Sequence, residues 1–133
     1  MVKLGDEETR KLLFFQQVTS AMAKDCIDED DRIVFVVANG ELGAAVGKRG
    51  ANVVTLEKLL KKKITVIEHS DDAVKFAANI FFPAKMNAVL TGDKLTVKVD
   101  ENDRKYVIGK GGSKIKLARL LLKRHFNIND IKV

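Results

Sequence analysis

"AVGKRGANV" (residues 45–53) returns 62 positions later as "VIGKGGSKI" (107–115). Both read apolar, apolar, Gly, Lys, any residue, Gly, any two, apolar. The register holds outward from this core. Ile33, Phe35 and Val37 fall on Leu95, Val97 and Val99, while Val53, Leu56 and Leu60 fall on Ile115, Ala118 and Leu122. One glycine pair arises easily by chance. The same context twice in register marks a duplicated structural unit.

Periodicity supplies the elements of each unit. Ala73, Phe76, Ala77, Ile80 and Phe81 sit at i, i+3, i+4, i+7 and i+8, one face of a helix. "SDD" (70–72) offers a cap and first-turn acids, and Pro83 marks the end. "MNAVL" (86–90) and "KLTVKV" (94–99) read as strands around a turn at Gly92 and Asp93. A short helix is predicted at about 102–108, a second at 113–125, and a last strand at "DIKV". The first unit repeats this: helix 7–19, strands near 22–27 and 32–38, helices 41–46 and 51–61, strand 63–68. The fold class is therefore α/β (α+β), with domains at 1–69 and 70–133. Only "HSDD" lies between them, so the halves are expected to pack as one rigid body.

Composition narrows the function classes. Of 133 residues, 46% are hydrophobic, enough for a core, and no run approaches a membrane span. The amino-terminal "MVKLGDEETRK" has no apolar signal core, so a cytoplasmic protein is expected. A lone cysteine, Cys26, rules out an internal disulfide and reads as a small buried strand residue. Net charge is +6, and residues 71–133 carry the whole excess. Windows 42–63 and 104–125, around the two glycine motifs, hold 14 of the 24 basic residues and one acid, Glu57. The acids gather elsewhere, notably in "DCIDEDD" (25–31), which reads as a solvated turn.

A Gly-x-x-Gly turn between two helices suits a phosphate backbone for three reasons. Glycine lacks a Cβ, so a ligand can approach the main chain. The second glycine opens a helix whose first amides point outward. Lys and Arg add charge and forked donors. Gly40-Glu41-Leu42-Gly43 also fits the spacing but carries an acid and precedes a helix, so it reads as a strand-to-helix turn. Solvated lysine-rich helices with no ligand are the competing structural reading.

Apolar-Gly-x-x-Gly-x-x-apolar between two helices resembles the KH domain, a module that binds RNA and single-stranded DNA. After Gly112 only 21 residues remain, room for one helix and one strand. The extra helix and strand therefore precede the core, which resembles the type II arrangement with a three-stranded sheet covered by helices. Two such domains with almost no linker resemble the tandem pair of the NusA transcription termination/antitermination family, in its archaeal form. "AKDCIDED", "AVGKRG", "SDDAVKFAANIFFPAKMNAV" and "YVIGKGGSKIKLARLLLKRHFNINDIKV" carry that resemblance. It implies that Gly47, Lys48, Arg49 and Gly50 grip one stretch of backbone, and Gly109, Lys110, Gly111 and Gly112 another. Val46, Val53, Ile108 and Ile115 would form or support the floor of a base groove, with plain core packing the competing reading for Val53 and Ile115. Gly111 leaves the second loop one cation short, and Lys114, Lys116 and Arg119 are candidates to compensate. The implied partners are single-stranded RNA and RNA polymerase, for a monomer without cofactor or metal. A KH protein of ribosome assembly or translation is the alternative.

Catalysis finds little support. A P-loop needs Ser or Thr after its Gly-Lys, and Arg49 stands there. His69 and His125 are isolated and read as surface or packing residues. Tyr106 is the only tyrosine and there is no tryptophan, which disfavours modules built on base stacking.

Overall fold

The computed structural model describes residues 4–133, which fall into two compact units divided between His69 and Ser70. The first runs α1 (Asp6–Thr19), β1 (Ala23–Asp28), β2 (Arg32–Val37), α2 (Leu42–Val46), α3 (Ala51–Leu60) and β3 (Lys63–Glu68). The second runs α4 (Ala73–Phe81), β4 (Met86–Thr91), β5 (Lys94–Val99), α5 (Arg104–Ile108), α6 (Ser113–Phe126) and β6 (Asp130–Lys132). Short 3-10 turns at Lys48–Gly50 and Lys110–Gly112 join the last two helices of each unit.

Each sheet has three strands in the order of the chain. β1 and β2 pair antiparallel, with Cys26 opposite Phe35, and β2 pairs parallel with β3, Phe35 opposite Val66. In the second unit Ala88 lies opposite Val97 and Leu95 opposite Ile131. A parallel pair cannot be closed by a hairpin, so a crossover must join its strands. That crossover is the helix–loop–helix carrying the glycine motif. The repeat seen in sequence is thus a repeat of topology. It drifts at the third strand because α6 has 14 residues and α3 only 10.

Packing follows the apolar pattern. In the first unit Phe15 stacks on Phe35, ring centroids 4.2 Å apart, among buried Cys26, Ile33, Val37, Ala45 and Leu56. The run "IVFVV" is buried from Ile33 to Val37, as continuous apolar strands are when both faces are covered. β5 instead alternates: Leu95 and Val97 are buried, Lys94 and Lys98 exposed. In the second unit α4 packs on α6 and β4, burying Phe76, Ala77, Ile80 and Phe81. Phe76 meets His125 edge-on at 5.5 Å and Phe126 at 5.8 Å. Asp72 caps α4 as its sequence suggests, accepting from the Val74 amide at 2.9 Å and the Lys75 amide at 3.4 Å. No helix of the described residues is long and apolar enough to cross a membrane.

The acidic stretch 25–31 departs from its sequence reading as a solvated turn. Asp25 and Cys26 are fully buried on β1, and Asp25 Oδ1 accepts the Cys26 amide at 2.8 Å. Asp28 ends the same strand and pairs with Lys11 and with Lys62, the latter at 2.9 Å. Lys62 also donates to the Glu29 carbonyl at 2.7 Å, and Glu29 pairs with Arg32 at 2.6 Å. The cluster ties α1 and the end of α3 to the strand edge. Only residues after Asp28 form the turn, because pairing makes the buried end of this charge tolerable.

Candidate nucleic-acid interface

The two Gly-x-x-Gly loops share one backbone conformation. Gly47 has φ 79° and ψ 170°, Gly109 φ 78° and ψ 169°. Gly50 and Gly112 are left-handed at φ 74° and 76°. The position before each is left-handed as well: Arg49 at φ 56°, ψ 30° and Gly111 at φ 62°, ψ 21°. Within each loop the second glycine donates its amide to the first glycine's carbonyl, at 3.1 Å in both.

The two glycines of a loop are required for different reasons. A Cβ on Gly47 would lie 2.9 Å from the Asn52 side chain and 3.0 Å from its amide. On Gly109 it would lie 2.7 Å from the Lys114 Cβ and 2.8 Å from its amide. The first glycine thus lets the chain pass against the start of the next helix. Gly50 has nothing within 4 Å of where a Cβ would be; there the left-handed conformation selects glycine, and its face is open. Sequence alone assigns both glycines to ligand approach, whereas the space a Cβ would take on the first is already filled by protein atoms.

Beyond each loop a helix begins without a side-chain cap, its first amide (Ala51 or Ser113) donating to the carbonyl of Lys48 or Lys110. Neither α3 nor α6 has a side-chain cap or an acid in its first turn, unlike α4 with Asp72. The positive end of the helix dipole favours an anion at such a terminus. Lys48 and Arg49 in the first loop and Lys110 in the second are exposed and join no ion pair among the described residues. No group of three or more His, Cys, Asp or Glu able to hold a metal occurs among the described residues.

The remaining candidates divide. Val46 is half-buried and Ile108 is exposed, so both reach the surface beside their loops. Val53 packs against the first core and Ile115 is buried, which is the plain core-packing reading of both. Lys114 is half-buried, and its Nζ donates to the Phe82 carbonyl at 2.8 Å, holding α6 to the segment after α4. Its counterpart Asn52 donates instead to the Ala44 carbonyl at 3.0 Å, tying α3 to α2. Neither tie was visible in the sequence, although both residues follow the second glycine by two. Lys116 and Arg119 are exposed on α6. Lys58 lies in the last turn of α3, about 12 Å from the loop at 1.5 Å per residue, Lys61–Lys63 follow beyond the helix end, and Lys62 is held by Asp28. The cationic window of the first unit therefore overstates the charge at its loop.

Two crossovers of this form, each bending at a glycine-bracketed cationic loop within an α-β-β-α-α-β unit, define a pair of type II KH domains. The family model for the KH domain matches residues 9–89. A "Probable transcription termination protein NusA" from Methanocaldococcus jannaschii is 39% identical over 137 residues, covering 99% of this chain and 75% of that protein. One from Halococcus morrhuae is 38% identical, covering 99% and 98%. The solved structure titled "Crystal structure of APE1850" aligns with a TM-score of 0.81 and 32% identity over 97% of this chain and 99% of that one. The chain belongs to the KH-domain family, among the archaeal NusA-like proteins.

Proposed function

We propose that this chain is an RNA-binding NusA-like transcription termination/antitermination factor, gripping single-stranded RNA through Gly47–Gly50 and Gly109–Gly112. The observation that carries the reading is the matched pair of loops. Each combines a left-handed second glycine, a following helix without a side-chain cap and exposed cations that join no ion pair among the described residues; at Gly50 the glycine face is open as well. A KH loop of this kind clamps about four backbone nucleotides. Phosphates would meet the loop amides, Lys48, Arg49 and Lys110, while bases would lie toward Val46 and Ile108. The role is one of binding rather than catalysis, by a monomer in the cytoplasm, with RNA polymerase as a second partner. The names of the archaeal relatives support the transcriptional assignment.

Crosslinking the protein to RNA in cells and sequencing the recovered fragments tests this reading. Nascent transcripts enriched over ribosomal RNA are expected. Recovery dominated by ribosomal RNA would move the protein to ribosome assembly, and recovery of no RNA would end the binding reading itself.

A further inference from the structure

We infer that the ring of Phe82 is a stacking platform for an RNA base beside the second glycine loop, a role without a counterpart in the first unit. The inference rests on the loop-gripping reading above and adds a second kind of contact to it. Phe82 follows the last residue of α4 and is 74% exposed, the most exposed large apolar side chain among the described residues. A single exposed apolar residue needs no explanation by itself. Its placement does. Lys114, whose Cβ would abut a Cβ on Gly109, reaches across to the Phe82 carbonyl at 2.8 Å. One lysine side chain therefore spans from the first glycine of the loop to the backbone of Phe82.

The repeat supplies an internal comparison. Sixty-two residues earlier, Phe82 corresponds to Ser20, Lys114 to Asn52, Gly111 to Arg49 and Tyr106 to Ala44. The first unit has two loop cations and no aromatic ring at these positions. The second has lost one cation and acquired Phe82, Tyr106 and the lysine tie. Phe82 and Tyr106 are the two exposed aromatic residues among those described. The Tyr106 ring already has the Lys105 ammonium 5.1 Å from its centroid. Phe82 makes no ring contact with an aromatic or cationic group among the described residues. A bare ring anchored beside a phosphate-gripping loop matches what an unstacked base requires, since every base presents a π face and single strands are read by stacking. The first unit then holds RNA chiefly by charge, and the second by one cation and a ring.

The chain has no tryptophan, so Phe82→Trp, excited selectively over Tyr106, places a sole tryptophan reporter at the proposed platform. With the full chain and a single-stranded RNA of about ten mixed nucleotides, the Trp emission is expected to be quenched on binding, with affinity close to wild type. Phe82→Ala should weaken binding by about 5- to 100-fold with the salt dependence unchanged, because the ring meets no phosphate. Phe82→Leu, which keeps apolar bulk without a ring, should lose nearly as much and covers the case of an alanine variant that melts early. Unquenched Trp emission together with wild-type affinity in Phe82→Leu would overturn the inference. If those two results occur while Lys48→Asp/Arg49→Asp still abolishes binding, only the stacking platform fails. If the wild type binds no RNA, the loop-gripping reading fails with it.

Discussion

Arg49 and Gly111 hold the same left-handed backbone position, two residues before the helix each loop opens. For an L side chain that conformation costs about 1–2 kcal/mol, and glycine adopts it freely. The first unit keeps an arginine there despite the cost, just as Ser20, Lys61 and Asn127 are kept left-handed at helix ends. Exchanging the two residues separates the terms. Arg49→Gly should leave stability within about 1 kcal/mol, strain relief being offset by added unfolded-state entropy, yet weaken RNA binding and lower its salt dependence. Gly111→Arg should lower stability by about 1 kcal/mol and strengthen binding. Melting curves and a salt titration of affinity for both variants check this.

The glycines should divide by position when each is changed to alanine. Gly47 and Gly109 lie in a region of backbone space almost confined to glycine, and a Cβ at either would press on the next helix at 2.7–3.0 Å. Gly47→Ala and Gly109→Ala are expected to cost about 3 kcal/mol each. Gly50→Ala meets open space and should cost about 1 kcal/mol. Thermal or urea unfolding of the three variants measures the difference; equal losses would contradict the division.

The Lys11–Asp28–Lys62 cluster sets an acid limit on the first unit. The Lys11 hydrogen bond, and after it that of Lys62, holds the Asp28 carboxyl below its ordinary 3.8. A lowered carboxylate contributes stability above its unfolded value and loses it as pH falls through the folded one. Asp28→Asn should therefore cost about 2 kcal/mol at neutral pH, with the gap from wild type closing only below about pH 4. Lys11 is raised above 10.5 by the same hydrogen bond, so its share persists to that pH and fades only above it. Urea unfolding across pH 2–11 would reveal both edges.

Cys26 should be chemically silent in the folded chain. It is fully buried, and burial pushes its thiol up to about 12, with neighbouring carboxylates adding to the rise. The thiolate is the reactive form. Iodoacetamide at pH 8 is expected to leave native protein unmodified and to label it readily in denaturant. Fast native labelling would contradict the buried-strand reading.

Much of this architecture was legible in sequence because duplication printed it twice. Periodicity placed α4 from Ala73 through Phe81, and the 62-residue offset aligned β2 with β5 and both loops. What escaped depends on contacts between residues distant in the chain. Asp28 looked like part of a solvated acidic run because its partners lie 17 and 34 residues away. Lys58 and Lys61–Lys63 counted toward the first loop by proximity in sequence, though α3 carries them to its other end. The steric duty of Gly47 and Gly109 needed the position of Asn52 and Lys114, which no spacing rule supplies. Phe82 lies outside the helix face that periodicity marks, and composition cannot tell an exposed ring from a buried one.

The most direct test of the central claim is the affinity of Lys48→Asp/Arg49→Asp and of Lys110→Asp for single-stranded RNA, measured against salt and beside their melting temperatures. These side chains are exposed and join no ion pair among the described residues, so melting should move by no more than about 0.5 kcal/mol of stability. Affinity at about 0.1 M salt should fall at least about 30-fold for the double variant, and the slope of log affinity against log salt should become shallower by about 1.4, two phosphate contacts at about 0.7 each. Wild-type affinity and slope in folded Lys48→Asp/Arg49→Asp would contradict the account, because the first loop would then not be where the RNA backbone is held.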